Sequence, residues 1–195
     1  MGCARGYSHR VSERIHRLRR LIAGVRPSAP DGGAEIVVRP MDEDDWPAIA
    51  DIGNKTTELY RVVGVEMPPL WADIVLQGEA LAILVAGRPA EGIVRIVEKD
   101  GLAYITGIAV VPGVLRKGVG RALLDASCEW ARDRGYPAIT VSAFVDVSWN
   151  APFFRAHGFE DMAELPPALA AVREWERELG LHAPGPRTFL RRNLT

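Results

Sequence analysis

Ile108-Ala-Val-Val-Pro-Gly-Val-Leu-Arg-Lys-Gly-Val-Gly-Arg-Ala-Leu-Leu124 is the stretch on which the reading of this 195-residue chain turns. Its β-branched run ends at Pro112 and a short basic loop follows. Beyond Gly118 and Gly120 the apolar residues take helical spacing. A strand, a glycine loop and a helix in that order aim backbone N–H groups at an anion such as a phosphate. Gly118 and Gly120 carry no Cβ, so an anion can approach the main chain, and Arg116, Lys117 and Arg121 add positive charge. Taken alone, a Gly-x-Gly is equally a plain strand-to-helix turn.

The flanking segments supply the context. Upstream, Leu102–Val111 reads as the strand that feeds the loop, entered through the tight turn Lys99-Asp-Gly. Glu91–Glu98 is its antiparallel partner, and Ala80–Ala86 the next strand, joined through Gly87-Arg-Pro. Farther back, Ile36–Arg39 is a first strand. Asp42 is placed to cap a helix from about Glu43 to Tyr60, with Trp46, Ile49, Ile52 and Leu59 on its apolar side. Met67-Pro-Pro breaks that helix, and Trp71–Leu76 is a second, short one.

Downstream, Val119, Ala122, Leu123, Ala126 and Trp130 carry a helix to Gly135, a natural helix-ending residue. Ala138–Phe144 is a strand, Asn150–His157 a short helix closed by Gly158, and Pro166–Leu179 a further helix. Thr188–Arg192 reads as a last, edge strand. Meander strands ahead of an α/β crossover give an α/β (α+β) class: a mixed, mostly antiparallel sheet flanked by helices.

Composition narrows the function classes. Apolar content of 48% and charged content of 25% suit a globular core, and no run is long and apolar enough to cross a membrane. Cys3 and Cys128 are too few for a disulfide framework or zinc knuckle, which fits a reducing, cytoplasmic setting. The histidines suggest neither a metal site nor a triad: His9 and His16 lie in the first thirty residues, His157 and His182 near helix ends.

Charge is uneven along the chain. Residues 1–30 hold seven Arg and one Glu, whereas the whole chain is at −1. Val11, Ile15, Leu18 and Ile22 form an apolar stripe along that basic arm, and the Pro/Gly run 27–33 reads as a linker. Residues 1–34 are therefore an arm and linker, and 35–195 the folded domain. A basic amphipathic arm suits an accessory extension, a transit peptide, or contact with nucleic acid or an anionic membrane.

Val110-x-Pro112, Gly118-x-Gly120-x-x-Leu123-Leu124 and, some thirty residues on, Pro152-Phe-Phe-x-x-x-Gly158-Phe159 together resemble the GNAT superfamily of N-acyltransferases over residues 35–160. Asp146-Val-x-Trp-Asn-Ala-Pro-Phe-Phe is similar to a bacterial subset of it. The resemblance implies acetyl-CoA as donor and an amine as acceptor, with no metal, no nucleic-acid partner and a homodimer as one possible assembly. It places the pyrophosphate on Arg116, Lys117, Gly118, Val119, Gly120 and Arg121. Pantetheine then lies along Ile108, Ala109 and Val110, with Asn150 and Phe154 completing the cofactor site.

Two positions depart from the family pattern. Leu115 stands where a Gln or Arg usually opens the loop. Phe154 stands where many members carry a tyrosine that protonates the leaving thiolate. An acyl transfer to an amine needs a neutral amine, a donor for the developing oxyanion and an exit for the thiolate. Tyr104, where some members place a catalytic glutamate, is the catalytic candidate, and Thr106 shares its strand face. Glu58, Tyr60 and Glu66 are candidates for the acceptor side. The expected function is N-acetyl transfer from acetyl-CoA to a primary amine of a small molecule or protein. The alternatives are an acyl-CoA-binding module without catalysis and a protein that works through its arm.

Overall fold

The computed structural model describes residues 36–67 and 80–194. The basic arm and linker and the expected helix Trp71–Leu76 lie outside the described residues. In chain order the elements are β1 (Val38–Pro40), a 3-10 turn (Glu43–Asp45), α1 (Trp46–Val62), β2 (Ala82–Ala86), β3 (Gly92–Lys99) and β4 (Leu102–Val110). A second 3-10 turn (Pro112–Val114), α2 (Val119–Asp133) and β5 (Ala138–Phe144) follow, then α3 (Ala151–Ala156), β6 (Glu160–Asp161), α4 (Pro167–Glu178) and β7 (Arg187–Asn193).

The strands form one sheet in the order β1-β2-β3-β4-β5-β7-β6, antiparallel except for the β4–β5 pair. The mixed, mostly antiparallel sheet of the sequence reading is therefore what forms. Thr188–Arg192 is not an edge strand, however: β7 lies between β5 and β6. Two exposed acidic residues make up β6, too short and too polar to show an alternating pattern in sequence. The helix expected from Glu43 begins with the 3-10 turn and becomes α-helical only at Trp46. Its cap is as expected. The Asp42 carboxylate accepts from the Asp44 N–H and Asp45 reaches back to the Asp42 N–H, a reciprocal capping box.

α2 buries Val119, Leu123, Leu124, Cys128 and Ala131 against Val94, Ile96, Ala103, Ile105, Ile139 and Leu190 on one face of the sheet. Each fully buried Leu or Ile here contributes roughly 1.5–3 kcal/mol. The helix approaches closely because β3 opens with Gly92. A Cβ there would lie 2.9 Å from a Leu123 methyl and 3.1 Å from a Val119 methyl. On the opposite face, α1 packs Ile49 and Ile52 on Val85, Ile93 and Ala109, while Leu169 of α4 packs with Leu102, Tyr104 and Phe189.

The centre of the sheet is irregular. Arg95 faces Gly107 and Ile96 faces Ile105, so Thr106 is an extra, bulged residue in β4. Pairing between β4 and β5 covers only Ala103–Ile139, Tyr104–Thr140 and Ile105–Val141. It stops at the bulge. From Thr106 to Val110 the β5-facing edge of β4 has no strand partner among the described residues.

Candidate active site

The loop after β4 is built for a tight reversal. The Leu115 N–H bonds to the Pro112 carbonyl and the Lys117 N–H to the Val114 carbonyl. Arg116 (φ 63°) and Gly118 (φ 90°) both adopt the left-handed conformation, which Gly118 takes without steric penalty. Left-handed residues in such a loop turn successive N–H groups toward one side. Gly118 caps α2, whose first turn carries no acidic residue. The Ala122 N–H bonds to the Gly118 carbonyl at 2.9 Å. The N–H groups of Val119, Gly120 and Arg121 precede it, and at a helix start these have no intrahelical acceptor. They sit at the positive end of the helix dipole.

This loop opens into a cleft of about 1220 Å³ that extends past the unpaired edge of β4 to the far side of the sheet. One wall is β4 from Thr106 to Val110. The other comprises Val141, Ser142 and Phe144 of β5 with Asn150, Phe153 and Phe154 at α3. At the far end lie Tyr60 from α1, Tyr104 from β4, and Trp175 and Glu176 from α4.

Polar groups concentrate at that far end. Arg187 grips Glu176 with two hydrogen bonds of 2.9 Å and donates to the Ser142 hydroxyl at 3.0 Å. Ser142 donates in turn to the same carboxylate at 2.9 Å. The guanidinium stands 4.4 Å from the centre of the Phe144 ring. On the β3 side, Arg95 is buried and donates to the Thr106 hydroxyl across the bulge at 3.3 Å. Burial pushes its pKa down. The Tyr60 hydroxyl accepts a short hydrogen bond from the Asn150 side-chain amide, and the Trp149 ring packs against the Tyr60 ring. Burial raises the Tyr60 phenol, and the Arg187 charge and the Asn150 bond partly offset that. Burial also raises Tyr104, and the Glu176 carboxylate adds to the shift.

Residues 44–159 match the acetyltransferase (GNAT) family. That span is more than half of the chain and contains the glycine loop, both walls of the cleft and α3. The chain belongs to the GNAT family.

Solved structures share the fold at low identity. An acetyltransferase of the family from Staphylococcus aureus Mu50 is 12% identical, with 83% of this chain and all of that one covered and a TM-score of 0.61. N-acetylglutamate synthase from Neisseria gonorrhoeae, solved with coenzyme A and N-acetylglutamate, is 19% identical over 84% of this chain, at a TM-score of 0.61. Only 36% of that longer chain is covered. A GNAT N-acetyltransferase from Escherichia coli, in complex with CoA, is 16% identical over 86% of each chain, at a TM-score of 0.56.

Within the GNAT domain, most of the residues singled out in the sequence reach one cleft. Ile108, Ala109, Val110, Arg116, Gly118, Gly120, Arg121, Asn150, Phe154 and Tyr104 all line it, as do Thr106 and Tyr60. Lys117 and Val119 do not. The Val119 side chain is buried under β3, so only its main chain is available at the helix start. Glu58 pairs with Arg61 on the exposed side of α1, and Glu66 also lies outside the lining. Gly120 is needed less for its backbone than its partner is. A Cβ there would meet Phe153 and Val110 at an ordinary 3.7 Å, on the cleft side of the helix. The Ser142–Glu176–Arg187 group escaped the sequence reading. A signal existed: Leu169, Val172 and Glu176 fall at helical spacing, so an acid sits on the apolar stripe of α4.

Proposed function

We propose that this GNAT chain transfers the acetyl group of acetyl-CoA to a primary amine of a small molecule or protein. The supporting observation is continuity: the glycine loop opens directly into the cleft where β4 stops pairing with β5. On this reading the N–H groups of Gly118, Val119, Gly120 and Arg121 hold the pyrophosphate, with Arg116, Lys117 and Arg121 supplying charge. The pantetheine arm adds to the open edge of β4 at Ile108, Ala109 and Val110 as an extra strand would. Asn150 and Phe154 close the opposite wall. A main-chain N–H of that edge receives the oxyanion as the amine attacks the thioester carbonyl. The amine enters from the end where Tyr60, Tyr104 and the Glu176–Arg187 pair lie. Tyr104 there is a neutral phenol beside the acceptor.

Two measurements test this. Calorimetry is expected to show CoA binding by the parent and none by a folded Gly120→Glu variant, whose carboxylate would project into the cleft beside Phe153. Equal affinity would overturn the phosphate cradle. Acetyl-CoA with a panel of amines, read by thiol release, is expected to show transfer. The Phe154 side chain, which has no proton to give, favours a second reading: an acyl-CoA-binding module without turnover. CoA binding with no thiol release across the panel would establish that instead.

A further inference from the structure

A thiolate leaves more readily when it receives a proton, and Phe154 has none. A buried phenol, Tyr104, and a half-buried one, Tyr60, face the cleft, and their surroundings differ. Tyr104 is packed among Leu102, Leu169 and Phe189, and the nearby Glu176 carboxylate opposes the phenolate that proton donation would create. Tyr60 stands at the other side of the far end, its ring against Phe144 and Trp149 at centroid distances of 5.8 and 6.0 Å. Its oxygen receives an N–H group from the Asn150 amide. The amide nitrogen donates, so it leaves the phenol proton available to another group. The same donor stabilises the oxygen once the proton has gone. Asn150 immediately precedes α3, and Phe154 lies one turn further along it. Tyr60 thus reaches from α1 to the wall of the cleft that carries Phe154.

We propose that Tyr60 is the general acid of the transfer, an assignment that rests on the acetyl-transfer reading above. The amine nitrogen bonds to the acyl carbon, the carbon–sulfur bond breaks, and the Tyr60 O–H proton passes to the departing sulfur to give the CoA thiol. The proton shed by the acylated nitrogen goes to solvent, and the Tyr60 phenolate recovers one from solvent. A phenol is protonated at neutral pH between turnovers, and burial raises its pKa further.

The test uses the full chain with acetyl-CoA and an amine that the parent acetylates. Tyr60→Phe is expected to lower kcat by about 10²-fold or more, the scale of a positioned acid, while melting temperature and CoA affinity stay near those of the parent. Heavy water should slow kcat of the parent and leave that of Tyr60→Phe nearly unchanged, a readout that a purely structural tyrosine would not move. Adding Phe154→Tyr to Tyr60→Phe should restore much of the turnover, by returning a hydroxyl to the cleft from α3. A Tyr60→Phe enzyme with the parent's kcat, or one whose loss is matched by weaker CoA binding, would overturn the assignment and leave acetyl transfer standing. No transfer by the parent to any amine would overturn the transfer reading and the acid with it.

Discussion

Arg187 and Glu176 make the most sensitive contact in the cleft. Both are nearly enclosed, and each satisfies the other through two hydrogen bonds. Removing one partner leaves a buried charge without compensation, a loss of roughly 3–5 kcal/mol for such pairs. Arg187→Met is therefore expected to lower the melting temperature sharply in a thermal scan. The double variant Arg187→Met/Glu176→Leu, which buries no charge, should recover most of the difference. Equal melting of single and double variants would mean that the pair carries little of the local stability. Phe154 is a contrasting case. Its identity is plain in the sequence, but its surroundings, Phe153 and Phe159 at centroid distances of 5.4 Å, are visible only in the fold.

At the level of elements, the start of the domain is held by its carboxylates. Arg39 on β1 forks onto both oxygens of Asp45 at 2.7 Å, and the same carboxylate closes the capping box before α1. The Arg39 hydrogen bonds lower the Asp45 pKa from 3.8 to about 2. A depressed carboxylate stabilises the fold above its unfolded pKa and ceases to do so as pH falls through its folded one. The contribution, of the order of 1–2 kcal/mol after solvent screening, should be whole above about pH 4 and gone near pH 2. Asp45→Asn is expected to melt lower than the parent at pH 7, with the gap closing between pH 4 and pH 2. A gap that stays constant across that range would remove Asp45 ionisation from the account. β4 shows how an element's behaviour outruns its local pattern. Leu102–Val111 alternates well enough to be read as a strand, but nothing in its own residues marks Thr106 as the bulge. That feature arises from pairing with β3, which lies outside the segment.

For the molecule as a whole, the site requires distant parts of the chain to converge: α1, β4 and its loop, β5, α3 and α4 all contribute to one cleft. The basic arm is proposed to be dispensable for it. A chain beginning at Gly33 keeps Ile36, whose terminal methyl lies 3.5 Å from the position of a Cβ on Gly118. It is expected to match the full chain in melting temperature and CoA affinity. A large loss of either on truncation would show that the Val11–Ile22 stripe packs on the domain. Most of the strands and helices in their order, the capping Asp42, the glycine loop and most of the cleft-lining residues follow from sequence alone. Periodicity, turn chemistry and helix starts are local, set by neighbours within a few positions. The placement of β7 inside the sheet, the bulge at Thr106, the Glu176–Arg187 pair and the meeting of Tyr60 with Asn150 required the tertiary structure. Each joins residues separated by 11 to 90 positions, and hydrophobic spacing records which face of an element is buried, not which partner it meets there.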